Sequence, residues 1–149
     1  MARISNSPEF RWGIIGTGGI AKAFARDLSF FNNHIVQAVG SRSSEKATDF
    51  ALEFPTCTPY GSYEELVADP MIDAVYVATP HTEHMANTLL ALNAGKPVLC
   101  EKPFAVNAIE VQAMVAAARA NNVALLEAMW TRFLPHISKV RELLASGVI

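Results

Sequence analysis

At 149 residues, with 51% apolar and 17% charged side chains, the chain is long enough for one domain around a sizeable hydrophobic core. A formal net charge of −2 argues against a nucleic-acid binder, which shows a basic patch, and no apolar run approaches the length that crosses a bilayer. The two cysteines, Cys57 and Cys100, stand far apart without metal-ligand spacing, which reads as reduced thiols in a cytoplasmic protein.

Residues 1–10 lack the hydrophobic stretch of a signal peptide and read as a lead-in. Trp12–Ile15 is a short apolar strand ending in a glycine turn. Ile20, Phe24 and Leu28 then share one face of a predicted helix, Ile20–Leu28. His34–Val39 supplies the next strand, and Ser44–Phe54 the next helix, capped by Ser44 and ended by Pro55. A short strand over Thr56–Tyr60 leads through Gly61 and Ser62 to a helix at Tyr63–Ala68, which Asp69 and Pro70 stop. Ala74–Ala78 is continuously apolar, as in strands buried on both faces of a parallel sheet. A helix over Thr82–Asn93 follows, with Met85, Leu89 and Leu92 inward and Gly95 as terminator. Pro97–Cys100 is the fifth strand. Asn107 and Glu110 make a cap-like start for a helix through Ala120, Val123–Leu126 is the sixth strand, and a last helix spans Pro135–Ser146. Alternation of apolar strands with helical crossovers predicts a doubly wound α/β fold, a six-stranded parallel Rossmann sheet of order 3-2-1-4-5-6.

The first turn reads Gly16-Thr17-Gly18-Gly19-Ile20-Ala21, a G-x-G-x-x-A between strand and helix. Gly16 permits the tight turn, Gly18 lets the backbone approach a pyrophosphate, and Ala21 lets the helix pack on the sheet. The helix N-terminus offers free N–H donors and a positive dipole. Without that context the motif is only a glycine-rich turn. The second strand ends Val39-Gly40-Ser41-Arg42-Ser43, without the carboxylate that accepts the ribose 2′-hydroxyl of NAD. Arg42, with Ser41, Ser43 and Lys46, is suited instead to the 2′-phosphate of NADP, although a solvated arginine is the ordinary alternative.

Ligands of open α/β sheets sit at the carboxyl ends of strands, so Thr79, Pro80 and His81 border the expected cofactor site. His81 and His84 form an H-x-x-H without further ligands nearby, which argues for cofactor or helix-capping hydrogen bonds and against a metal. The fifth strand runs into Glu101-Lys102-Pro103. Partial burial of Lys102 would ease loss of its ammonium proton and fit it for proton exchange with a reacting hydroxyl, while Glu101 orients the amine. The proline makes a cis peptide bond possible. A lysine–proline loop without a role is the alternative. Trp130 and Arg132, after the sixth strand, are placed to reach nicotinamide or substrate, whereas Phe133 is expected to seal the end of the sheet.

The segments GIIGTGGIA, YGSYEELVADP, VATPHTEH, AGKPVLCEKP and EAMWTRF together resemble the Gfo/Idh/MocA family, named for glucose–fructose oxidoreductase, inositol dehydrogenase and a rhizopine-catabolism protein. LCEKP and EAMWTRF are nearest its NADP-dependent dihydrodiol dehydrogenase and D-xylose dehydrogenase branch. The resemblance implies hydride transfer between nicotinamide and a CH–OH carbon of a sugar or dihydrodiol, with Lys102 as the catalytic lysine. His84 matches the family pattern, whereas His81 stands where asparagine is common. Family members carry a second α/β domain that holds the substrate and commonly the oligomer interface. Residues 11–134 then form the dinucleotide-binding domain of a homo-oligomeric parent, and 135–149 a crossover helix toward a missing C-terminal domain. On that reading the chain alone is weakly active or inactive, and its last helix exposes apolar surface. The rival reading is a non-catalytic nucleotide-binding or sensing module. A methyltransferase fits less well, because Arg42 stands where such enzymes place an acid.

Overall fold

A computed structural model describes residues 9–148. Six strands lie in one sheet: β1 (Phe10–Ile15), β2 (His34–Gly40), β3 (Thr58–Tyr60), β4 (Ala74–Val77), β5 (Val98–Cys100) and β6 (Leu125–Glu127). All neighbours pair in parallel, in the order β3-β2-β1-β4-β5-β6. This is the predicted doubly wound topology, and its cause is visible in β4, where all four residues are buried. A strand apolar on both faces is covered on both sides, and right-handed helical crossovers provide that cover.

The helices are α1 (Gly19–Leu28), α2 (Ser44–Ala51), α3 (Tyr63–Ala68), α4 (His84–Asn93), α5 (Ala108–Ala120) and α6 (Pro135–Ala145). One apolar cluster joins Ile15, Val75, Val77 and Cys100 of the sheet to Leu66 of α3, Ala91 and Leu92 of α4, and Met114 and Ala118 of α5. The other joins Ile14, Val39 and Tyr76 to Ala21 and Ala25 of α1 and to Ala47 and Phe50 of α2. Ala21, fully buried, is the small residue that brings α1 down onto the sheet.

The larger departures from the sequence reading lie in α2 and α4; α1 and α6 each differ by one residue. Ser43, not Ser44, caps α2: its side chain accepts from Lys46 N at 3.3 Å, three residues on, and the helix ends at Ala51 before Phe54. The chain after Pro80 enters a 3-10 turn, His81–Glu83, so α4 starts at His84 rather than Thr82. The inward face of α4 is set by His84, Asn87, Thr88, Ala91 and Leu92, with Met85 and Leu89 only half-buried. Of the lead-in assigned to residues 1–10, all but Glu9 and Phe10 lies outside the described residues, and Phe10 already belongs to β1. No helix among the described residues is long and apolar enough to cross a membrane.

Candidate functional site

The carboxyl ends of β1, β2 and β4 meet around the first turn. Gly16 has φ +106°, and a Cβ there would lie 2.8 Å from Ala78 O, so only glycine lets the chain turn this close to β4. Its N–H donates to Gly40 O at 3.0 Å, tying the turn to β2. A Cβ on Gly18 would meet nothing within 4 Å: the outer side of the turn is open. Gly18 is the N-cap of α1 and carries no side-chain cap, and the first turn of the helix has no acidic residue. Its leading N–H groups are therefore left to an external anion.

Gly16, Thr17 and Gly18 line a cleft of ≈ 300 Å³ with Ser41, Arg42, Ser43, Lys46, Tyr63, Ala78, Thr79 and Pro80. Ser41 is buried and its Oγ accepts from Ser43 N at 3.2 Å, while Ser43 Oγ accepts from Lys46 N. Both hydroxyls are held by local turns and keep their own O–H groups to donate. Among the described residues neither Arg42 nor Lys46 is ion-paired with a carboxylate. Arg42 shares the wall of this cleft with Tyr63, near enough for its charge to act on the phenol. Burial pushes the Tyr63 phenol up, and Arg42 pulls it part of the way back. Tyr63 was not among the residues picked from sequence; its place beside Arg42 depends on the β2–β3 pairing that brings the start of α3 to the end of β2.

The segments that follow β4 and β5 are tied to each other. His84 is 1% exposed, with Nδ1 2.9 Å from Pro103 O and Nε2 3.0 Å from Thr79 O. Both ring nitrogens thus face main-chain carbonyls, and His84, from a buried position, clamps the loop after β4 to the loop after β5. Thr79 Oγ1 also accepts from Asn87 Nδ2 at 3.0 Å, whereas His81 stays exposed on its 3-10 turn. Within AGKPVLCEKP, Lys96 serves the fold, donating from Nζ to Asp69 O and Ile72 O at 2.9 and 2.8 Å.

Lys102 is exposed, not partly buried, because the chain leaves the sheet at Cys100 and turns outward through Lys102-Pro103, a cis peptide bond. Glu101 does not orient the amine either. Its Oε1 accepts from Tyr76 Oη at 2.5 Å and its Oε2 from the Lys102 main-chain N at 3.1 Å.

Gly19 is exposed near the turn, but Ile20, Glu101 and Trp130 line a second, more apolar groove of ≈ 390 Å³ with Phe24, Leu126 and Phe133. Phe133, 70% exposed, seals nothing; Trp130 is 64% exposed and Arg132 also stands in solvent, all three on the 3-10 turn Trp130–Phe133. The two thiols are free and buried, and burial pushes Cys57 up to about 12 and Cys100 up to about 11. No group of three or more His, Cys, Asp or Glu side chains suited to a metal occurs among the described residues.

The chain is 46% identical over 156 residues to a D-xylose 1-dehydrogenase (NADP(+)) of Hypocrea jecorina, covering 97% of this chain and 40% of that protein. It is 48% identical over 141 residues to a trans-1,2-dihydrobenzene-1,2-diol dehydrogenase of Mus musculus, covering 93% and 42%. It thus spans about two fifths of the length of these curated relatives. Among solved structures, a 3-ketoreductase from Actinomadura kijaniata in complex with NADP superimposes with a TM-score of 0.84 at 32% identity, over 95% of this chain and 45% of that one. The match to the oxidoreductase family with an NAD-binding Rossmann fold runs over residues 10–129, from β1 to the end of the β6 segment, and places this chain in the Gfo/Idh/MocA family.

Proposed function

We propose that this chain is the NADP-binding half of a dehydrogenase that moves a hydride between nicotinamide and a CH–OH carbon of a sugar or dihydrodiol. The observation that carries the reading is the cleft itself: an open glycine turn and uncapped helix N-terminus at one end, and Arg42 and Lys46, without a carboxylate partner among the described residues, with Ser41 and Ser43 at the other. These residues fit the group. The N-terminus of α1 with Thr17, Gly18 and Gly19 would hold a pyrophosphate, and Arg42 would pair with a 2′-phosphate between the two serine hydroxyls. Bound NADP supplies the hydride acceptor or donor. Thr79 and Pro80 of the cleft, with His81 beside them, would contact the nicotinamide half, and Ile20 and Trp130 of the apolar groove, with nearby Arg132, would lie beyond it. Lys102 Nζ, as the neutral amine, would take the proton of the substrate hydroxyl during oxidation and, as the ammonium, return it during reduction.

The same reading takes residues 11–134 as the nucleotide-binding domain and 135–149 as a crossover helix toward a substrate domain such as the longer relatives have room for. It places the protein in the cytoplasm, where two free buried thiols persist, as a homo-oligomer that binds no nucleic acid, consistent with the net charge of −2.

Calorimetric titration with NADPH and with NADH tests it. NADPH binds more tightly. Arg42→Ala weakens NADPH by about 10- to 100-fold, the loss of hydrogen bonds to a charged group, while changing NADH little. Equal losses for both nucleotides would remove the Arg42 assignment, and binding of neither would remove the cleft assignment. A cofactor sensor is told apart from a dehydrogenase by Lys102→Ala in the full-length protein, which abolishes hydride transfer while NADPH still binds.

A further inference from the structure

Glutamate directly before lysine at an exposed strand end would ordinarily leave the two side chains free to pair through solvent. Here they do not: among the described residues no carboxylate lies within 4 Å of the Lys102 amine. Both oxygens of Glu101 are engaged elsewhere, Oε1 by the Tyr76 hydroxyl and Oε2 by the Lys102 main-chain N–H. The Glu101 backbone is fixed too, its N–H donating to Val77 O at 3.0 Å.

Tyr76 is well placed to hold this arrangement. It is 2% exposed in the middle of the sheet, its ring stacked on Phe24 of α1 with centroids 4.0 Å apart and 24° between planes. A ring so confined gives its hydroxyl few alternative directions. Burial and the Glu101 charge both push the phenol up, so it remains a donor throughout the range in which enzymes work. An O–H···carboxylate bond of 2.5 Å is of the short, charge-assisted kind.

We propose that Tyr76 is a positioning residue that holds the Glu101 carboxylate away from the Lys102 amine, leaving that amine free to exchange protons. The inference deepens the role given above to Lys102 and rests on it for its importance. An ion pair with Glu101 would stabilise the ammonium and occlude it, whereas a proton-transfer lysine needs its nitrogen accessible in both protonation states. The tyrosine, one strand away beneath the site, decides which of these the glutamate does.

The test reads the amine itself, with neither nucleotide nor hydride transfer, so its failure is separate from failure of the dehydrogenase reading. The intact chain is treated with limiting acetic anhydride at fixed pH, and acetylation of Lys102 is followed by mass spectrometry against Lys139 of α6 as internal reference. Tyr76→Phe keeps the ring and removes the donor; Glu101 then swings to Lys102, and Lys102 labelling slows by about threefold, as for a partly exposed ion pair. In Tyr76→Phe/Glu101→Gln the rate returns to that of the wild type. No slowing in the single variant, or slowing that persists in the double, overturns the proposal. Glu101→Gln alone retains an acceptor for Tyr76 and covers the case in which Tyr76→Phe fails to fold. It leaves Lys102 labelling within about twofold of wild type, and a larger acceleration would show that Glu101 already holds the amine.

Discussion

The two faces of the sheet are finished differently. Under α3, α4 and α5 the cover reaches β5, with Val75, Val77, Leu92, Cys100 and Met114 all within 3% of full burial, and opens beside β6, in a cleft between α5 and Leu125. On the opposite face α1 and α2 cover β1 and β2 and reach Tyr76, but touch β5 only at half-buried Leu99 and leave Leu126 of β6 uncovered. Leu126 is 53% exposed there, Trp130 and Phe133 more so, and α6 contributes no buried residue at all. Leu126, Trp130 and Phe133 are as apolar as the residues buried on the first face. Apolar pattern therefore says which side chains seek cover, and only the packing says which have found it within this domain.

Paired truncations sharpen that contrast most. Leu66 of α3 is fully buried and packs against both Gly13 and Gly40, where added methyl groups would come within 3.1 and 3.2 Å of it. Leu66→Ala loses about 2–5 kcal/mol of unfolding free energy, through lost transfer and an unfilled cavity. Phe133→Ala, a larger deletion by volume, changes stability by about 0.5 kcal/mol or less, because its ring is already in water. Denaturant titration of both variants checks this, and similar losses would erase the distinction between the faces.

A smaller effect is expected at the junction of the two faces. Gly16→Ala puts an L side chain at φ +106° and a methyl 2.8 Å from a main-chain oxygen. Strain of this kind costs about 1–3 kcal/mol. Thermal melting measures the cost, and calorimetry with NADPH shows a parallel loss of affinity as the turn shifts. Loss of stability with full affinity would mean that the turn is structural only.

What the sequence discloses divides along the same line. Strand order was legible because β1, β4 and β5 are short, apolar and punctuated by glycine or proline, which leaves a parallel sheet as the economical solution. The glycine turn between β1 and α1, and Ser41, Arg42 and Lys46 between β2 and α2, were legible because each set's relations are local to its own strand–turn–helix unit. Tyr63 beside Arg42 and the His84 clamp were not, since each depends on contacts between segments distant in sequence. Lys102 was misjudged for a related reason: a strand that is buried along its length says nothing of how sharply the chain leaves it. The cap of α2 turned on a choice between adjacent serines, and the three-residue reach from Ser43 to Lys46 decided it.

Charge draws the faces apart in a milder way. On the better-covered half of the second face, Lys22 and Arg26 of α1 converge on Glu53, just past α2, the Arg26 pair at 2.9 Å, and so join two elements. On α6 the pair Lys139–Glu142, 3.0 Å apart, joins a helix only to itself. Hydrogen bonds from Lys22, then from Arg26, hold the Glu53 carboxyl below its ordinary range against an opposing push from burial. A carboxyl depressed in the folded state contributes stability above its unfolded value and loses it as pH falls through the folded one. The difference in melting temperature between wild type and Glu53→Gln should therefore be present at neutral pH, fade in acid and shrink with added salt. Glu142→Gln should show almost none of this. A salt- and pH-independent effect at Glu53 would mean that the glutamate acts through packing, and that the link between α1 and the end of α2 is not electrostatic.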